Sequence, residues 1–430
     1  MNTDTVLAIS LLILAYALVS GRVKRGIVTP TLVFLAAGLL LGPHVLDIIS
    51  PQIDTNGVQS VFKGLAELTL TIMLFLQGSR LDLRKIYGRT TRKTMYGRSL
   101  GTLGVLISIV LGTAVALLVF PDLPFWEAAI VAILVVPTES LVKPVIEDRR
   151  VPATVRNALS FEEGVSDGLC LGLLLIALAF ASNHTEGNAG HWVSVATKGV
   201  GMSLVVGAVI GWLGGKLLEI ADRAGWVTRI WSELYMLALA VFTFTVVEHI
   251  DGSGFVAAFG AGLVFGAVFT GAAERPIGAA DAIKEGLELV VFVVFGAVVV
   301  YPAFDGLDGK VLLYALLSLF VVRMASVSIS MGRTGFSRAT KLYMGWFGPR
   351  GLASLILGFI VIEEGDIGHL GTITDVVVVT VTLSIVLHSL TGRWGVNLYA
   401  RAIERLRKEK PDAPELGPAP ELGPAEGGTA

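Results

Sequence analysis

The chain has 430 residues, of which 53% are apolar and only 16% charged, with a mean hydropathy of +0.74. A soluble surface needs about 25% charged residues, so a water-soluble globular protein is excluded. The net charge of −2 offers nothing to nucleic acid, and the single cysteine, Cys170, excludes a disulfide framework and any multi-cysteine metal site. The apolar residues come in long blocks rather than the short alternation of an outer-membrane barrel. The 50 glycines suit closely packed membrane helices.

A helical span needs about 20 mostly apolar residues. The blocks predict thirteen: Thr5–Ser20, Ile27–Leu46, Val58–Leu76, Leu100–Phe120, Trp126–Ile146, Leu159–Ala181, Trp192–Leu218, Ile230–Glu248, Gly254–Thr270, Gly286–Val300, Val311–Ser330, Leu342–Ile362 and Thr374–Leu390. The first is not a cleaved leader, because Arg22, Lys24 and Arg25 follow it rather than precede it. Basic and non-basic loops then alternate along the chain. Arg80 to Arg98 is rich in cations, Asn183–His191 has no Lys or Arg, and Glu363–Asp366 is acidic. The positive-inside rule therefore predicts a multi-pass protein of the cytoplasmic membrane, N-terminus outside and C-terminus in the cytoplasm.

Residues 1–390 make up the transmembrane unit. Residues 391–410 are a basic cytoplasmic segment, with Tyr399–Lys410 expected as a short helix at the inner membrane surface. Residues 411–430 contain Ala-Pro-Glu-Leu-Gly-Pro twice, at Ala413 and Ala419. Such text builds no core of its own and is expected to be a disordered tail.

The two halves echo each other. Ala36–Gly42 in the second span resembles Gly260–Gly266 in the ninth, and Glu67-Leu68 in the third resembles Glu288-Leu289 in the tenth. Members of each pair lie seven spans apart and so cross in opposite directions, as in an inverted-topology repeat. The fifth and twelfth spans extend the pattern, since each is broken by a proline, Pro137 and Pro349. The carbonyls that a proline leaves without a donor must face a partner, a cavity or an ion.

Charges within spans are costly and mark function by default. Glu139 follows Pro137-Thr138, while Glu162, Glu163 and Asp167 open the sixth span and Arg350 lies in the break of the twelfth. Glu163 and Asp167 are one turn apart and share a helix face. One carboxylate is expected to pair with Arg350. The others, with Thr138 and the released carbonyls, make a hard-oxygen site suited to an alkali cation. Clustered like charges let such a site hold a proton near neutral pH. A site that takes either a proton or a cation, never both, exchanges them. Glu67 is a further candidate, either in the site or as partner of a nearby cation, and Arg323 reads as a snorkelling side chain.

Thr138-Glu139 in a broken span, Glu162-Glu163-Gly164-Val165-Ser166-Asp167, and Gly348-Pro349-Arg350-Gly351 after Gly345-Trp346-Phe347 together resemble the bacterial and archaeal monovalent cation/proton antiporters of the sodium/proton exchanger superfamily. The resemblance spans essentially Thr5–Leu390. It implies Asp167 as the main proton- and cation-binding carboxylate, with Na⁺ held by Asp167, Glu139 and Thr138, and Glu162 as the ion-pair partner of Arg350. It also implies a homodimer, with core helices at about 100–181 and 311–390 moving against interface helices at about 5–76 and 192–300. Three positions depart from the family pattern: Glu139 stands for Asp, Glu163 for Ser and Ser166 for Asn. The function expected is Na⁺/H⁺ antiport by alternating access, with no enzymatic activity and no cofactor. K⁺/H⁺ exchange (or transport of Li⁺) and a non-transporting pH or ion sensor on the same fold are the alternatives.

Overall fold

Backbone polar groups in lipid must be satisfied within the chain, so apolar blocks of this length fold as helices. The computed structural model describes residues 3–23, 29–49, 58–80, 99–139, 148–181, 201–250, 252–269, 278–364 and 367–417. Every regular element among the described residues is helical. In chain order these are α1 (Thr3–Val23), α2 (Pro30–Leu41), α3 (Val58–Arg80), α4 (Ser99–Val119), α5 (Phe125–Leu134), α6 (Ala153–Ala181) and α7 (Met202–Arg223). There follow α8 (Arg229–Glu248), α9 (Gly254–Val268), α10 (Gly278–Val294, continuing through a wide π-type stretch to Phe304), α11 (Gly309–Ser330), α12 (Arg338–Trp346), α13 (Leu352–Glu364) and α14 (Leu370–Glu409).

Among the described residues seven stretches are long and apolar enough to cross a membrane, and five further apolar helices are shorter. Two of the short ones come from the proline-broken spans. Helix α5 stops at Leu134, well inside the expected Trp126–Ile146, and residues 140–147 lie outside the described residues. The expected Leu342–Ile362 divides into α12 and α13, with Phe347–Gly351 non-helical between them.

Polarity runs inward. Leu18, Val110, Leu118 and Leu217 face outward, whereas Glu162, Asp167, Arg323 and Arg350 are buried. Hydrocarbon around the bundle explains this reversal of the soluble pattern.

The C-terminal region corrects the sequence expectation twice. Tyr399–Lys410 is not a separate surface helix, because α14 continues without a break to Glu409, with Tyr399 and Ile403 buried. Nor are all of residues 411–430 a disordered tail. Residues 411–417 fold back as a short turn in which Ala413 and Glu415 are buried, and residues 418–430 lie outside the described residues. The composition argument held that this segment has no core of its own. It docks instead on apolar surface supplied by α6, α11, α12 and α14, where Leu416 joins a cluster containing Val155, Tyr343, Phe347 and Tyr399.

Close backbone approach fixes how the spans pair. Helix α2 lies against α10, where a Cβ on Gly38 would overlap the Val293 carbonyl oxygen and one on Gly42 would come within 2.7 Å of the Ala297 oxygen. Helix α9 lies against α3 in the same way, with Gly262 on the Phe75 oxygen and Gly266 on the Ser79 oxygen. The reverse contacts match too: Gly296 meets Leu35 and Leu39, and Gly78 meets Phe259 and Leu263. Gly38→Ala and Gly262→Ala should each destabilise by about 1–3 kcal/mol through overpacking, seen as a lower melting temperature in detergent. At Gly286 a Cβ meets nothing within 4 Å, so Gly286→Ala should leave the melting temperature unchanged or slightly raised. Three equal melting temperatures would contradict these close approaches.

Candidate functional site

The site begins where α5 gives out. Pro137 has no N–H to continue the helix, so α5 closes on three-residue turns from Val135 N–H to Ala132 O and Val136 N–H to Ile133 O, both 3.3 Å, and residues 136–139 are non-helical. Helix α12 ends similarly ahead of Pro349. Its last carbonyl, Trp346 O, takes the Gly348 N–H at 2.9 Å and lies 2.8 Å from Nε2 of buried His388 on α14.

The two non-helical stretches cross and complete each other. Glu139 N–H donates to Pro349 O at 2.9 Å. Arg350 Nη1 donates to Val136 O and, at 3.4 Å, to Pro137 O. Arg350 N–H donates to Ser384 Oγ at 2.7 Å, and Leu352 N–H donates to the Glu139 carboxylate. Backbone groups left outside helices in the two breaks are thus matched by groups from the opposite break. The Glu139 carboxylate also sits at the positive N-terminal end of α13, where a helix favours an anion.

The expected pairing of Glu162 with Arg350 requires correction. Glu162 pairs with Arg323 of α11 through both carboxylate oxygens, the second at 2.8 Å from Nη2, and both side chains are almost fully buried. Arg323 therefore does not snorkel. It follows a wide π-type turn at Ser318–Val322, which alters the face that the next residues present. Arg350 spends its guanidinium on carbonyls of the fifth-span break instead.

Asp167 is 3% exposed, and one turn earlier on α6 stands Glu163. Its Oδ2 accepts from Gln77 Nε2 of α3 at 2.6 Å, while the Ser166 hydroxyl lies 3.4 Å from Oδ1 and donates better to Glu163 O at 3.0 Å. Thr138 N–H approaches Ser166 Oγ at 3.5 Å. No Lys or Arg forms an ion pair with Asp167 among the described residues. Glu163 acts on Asp167 through its charge, as does Lys284 of α10, which pairs with Glu288 at 3.3 Å. Glu288 in turn faces Glu139.

Thr138, Glu139, Glu162, Glu163, Phe347 and Pro349 line a small opening onto this centre. The structure thus brings together Asp167, Glu139, Thr138, Glu163 and Ser166. Glu67 is placed elsewhere: it precedes Gln77 by ten residues on α3, about 15 Å along the axis. Sequence reasoning missed Gln77, Lys284 and Glu288. Gln77 falls one residue beyond the expected third span, which hid it as a loop residue. Asp167, Glu139, Thr138, Glu163 and Ser166 offer a cation carboxylate and hydroxyl oxygen.

The chain belongs to the sodium/hydrogen exchanger family, whose transmembrane region it matches over residues 8–397. It is 25% identical over 338 residues to a probable Na⁺/H⁺ antiporter of Schizosaccharomyces pombe, covering 74% of this chain and 44% of that protein. It is 26% identical over 365 residues to a K⁺/H⁺ antiporter of Alkalimonas amylolytica, covering 82% and 59%. The chain therefore spans only about half the length of these two relatives. A second Na⁺/H⁺ antiporter of S. pombe is 21% identical, with 71% of its length covered. The fold is similar to the solved sodium proton antiporter of Methanocaldococcus jannaschii at pH 8, with a TM-score of 0.71 at 20% identity over 93% of this chain and 100% of that one.

Removing one member of the buried pair strands the other, at a cost of about 3–5 kcal/mol. Glu162→Gln and Arg323→Met should each lower the melting temperature sharply, and the double variant should recover part of the loss. Strictly additive losses would show that the two do not act as a pair.

Proposed function

We propose that the protein exchanges Na⁺ for H⁺ across the cytoplasmic membrane, with the two ions competing for Asp167. One observation carries this. Glu162 is neutralised by Arg323 and Glu139 is bonded to the start of α13, whereas Asp167 is hydrogen-bonded to the Gln77 amide and the Ser166 hydroxyl and makes no ion pair among the described residues, with the charges of Glu163 and Lys284 acting on it. A buried carboxylate without a counter-ion holds either a proton or a cation. Thr138, Ser166 and Glu163 supply further oxygens, and Glu139 contributes the oxygen not engaged with Leu352. Membership of the family and the Na⁺/H⁺ activity named for two relatives support sodium. K⁺ is the second reading, supported by the K⁺/H⁺ activity named for the third.

The architecture we read with this function is thirteen spans, N-terminus outside, in a homodimer whose core (about 100–181 and 311–390) moves against its interface helices. The duplicated glycine contacts support an inverted repeat. Gly262 stands to Phe75 as Gly38 does to Val293, and Gly78 to Phe259 as Gly296 does to Leu35. In that register Glu67 corresponds to Glu285, one turn from the Glu288 that the sequence echo picks out.

In proteoliposomes carrying a pH gradient, Na⁺ should dissipate the gradient and Asp167→Asn should abolish the response, because an amide neither releases a proton nor balances a cation. A response to K⁺ alone would favour the second reading, and no response to any alkali cation the sensor. Gln77→Leu should keep exchange but move its activity profile to higher pH by roughly a unit, since a hydrogen bond donated to a carboxylate favours its ionised form. An unmoved profile would remove Gln77 from the site.

A further inference from the structure

We propose that the foot of α12 is a binding site for the chain's own Pro-Glu-Leu-Gly segment, and that this docked segment sets the position of the broken helix above it. The site is built, not incidental. Helix α12 has Ser337 as its N-cap, with Ser337 Oγ accepting from Thr340 N–H at 3.2 Å. In a capping box a glutamate at the third helical position reaches back to the N-cap N–H. Here that position holds Thr340, and the glutamate comes from the tail. Glu415 Oε1 accepts from Ser337 N–H and from the Thr340 hydroxyl, both at 2.9 Å. Glu415 is 1% exposed, as buried as the charged pair in the membrane core.

The rest of the segment is engaged as well. Gly417 O accepts from the Thr154 hydroxyl at the start of α6, at 3.3 Å. Leu416 packs into the apolar cluster that runs up to Phe347, the residue leading into the Gly348-Pro349 break. Tyr399 of α14 closes the side, stacked on Tyr343 and 3.0 Å from the Thr340 hydroxyl. The segment thus ties together α6, α12 and α14 on one side of the ion site.

Helix α12 has nine residues, and isolated helices below about 12 residues are marginal. Its upper end is the break, so its register depends on what holds its lower end. A buried carboxylate accepting two bonds at a helix N-terminus is a charge-assisted cap, because the acceptor is charged and the helix end is positive. The site therefore selects a peptide with an ionised carboxylate followed by a branched aliphatic side chain. The same six residues recur at Ala419–Pro424, so Glu421 can stand in for Glu415 and a variant has to remove both.

This inference goes beyond the exchange reading, and its readout needs no transport. Amide hydrogen exchange is followed in purified full-length protein and in the Glu415→Gln/Glu421→Gln variant. Amides of α12 should exchange about tenfold or more faster in the variant, the scale of one or two lost charge-assisted bonds, while those of α9 should not change. In a chain ending at Lys410, added peptide spanning residues 411–418 should restore α12 protection, and the same peptide with Gln at the Glu415 position should not. Equal α12 exchange in the parent and the double variant would overturn the proposal. Restoration by both peptides would overturn the carboxylate's role. If the shortened chain fails to fold, the full-length comparison still decides. Loss of Na⁺/H⁺ exchange with α12 protection intact would be a failure of the transport reading alone.

Discussion

The crossing of the two proline-broken stretches is the constraint on which the rest depends. A proline in a membrane helix leaves carbonyls that lipid cannot satisfy. Here one break satisfies the other: Glu139 N–H takes Pro349 O, Arg350 takes Val136 O and Pro137 O, and the Glu139 carboxylate takes Leu352 N–H. None of these bonds exists unless both breaks are present at the same depth. Neither helix is merely kinked, because each supplies the partners that make the other's interruption tolerable.

That mutual arrangement also sorts the charges. With Arg350 occupied by backbone oxygens, Glu162 needs a different cation and finds Arg323 across α6 and α11. With Glu139 drawn to the start of α13, Asp167 is the site carboxylate that forms no ion pair among the described residues. The position of Asp167 is then set by neutral groups, Gln77 and Ser166, which constrain it without neutralising it. The exchange we propose needs such an environment. A fixed counter-ion would hold the carboxylate ionised and take the place of the cation, whereas full exposure to water would remove the cost of an uncompensated charge that makes proton and cation mutually exclusive.

Much of this was legible in the sequence, for physical reasons. Charges in apolar blocks are rare because they are costly, so Glu139, Glu162, Glu163, Asp167 and Arg350 stood out, and prolines at matching places in the two halves marked the breaks. What could not be read was which charge meets which. Arg323 and Arg350 lie in different spans at comparable depth, and the choice between them turns on a wide helical turn before Arg323 and on carbonyls that engage Arg350. Gln77 was hidden because an amide at the end of a span looks like a loop residue, although the adjacent Gly78, seated on α9, shows that the helix continues there. Within the inverted repeat we propose, the Glu67-Leu68 echo stands one turn out of register with the glycine contacts. A two-residue match cannot fix register, whereas three backbone contacts can.

The tail shows a different limit of composition arguments. A Pro/Gly/Glu segment does lack the apolar residues to make a core, and residues 411–417 make none. They need only one leucine and one carboxylate because the surface they meet is already assembled and offers the N–H of the Ser337 N-cap for a carboxylate to accept. Helix α12 is short, ends in a break above and begins at Ser337 below. His388 and Gly348 serve its upper carbonyl, and Glu415 serves its lower N–H. Both ends of the element that carries Gly348–Arg350 toward the ion site are therefore finished by other parts of the chain. The most interrupted helix of the bundle is held by the residues that composition alone would have set aside.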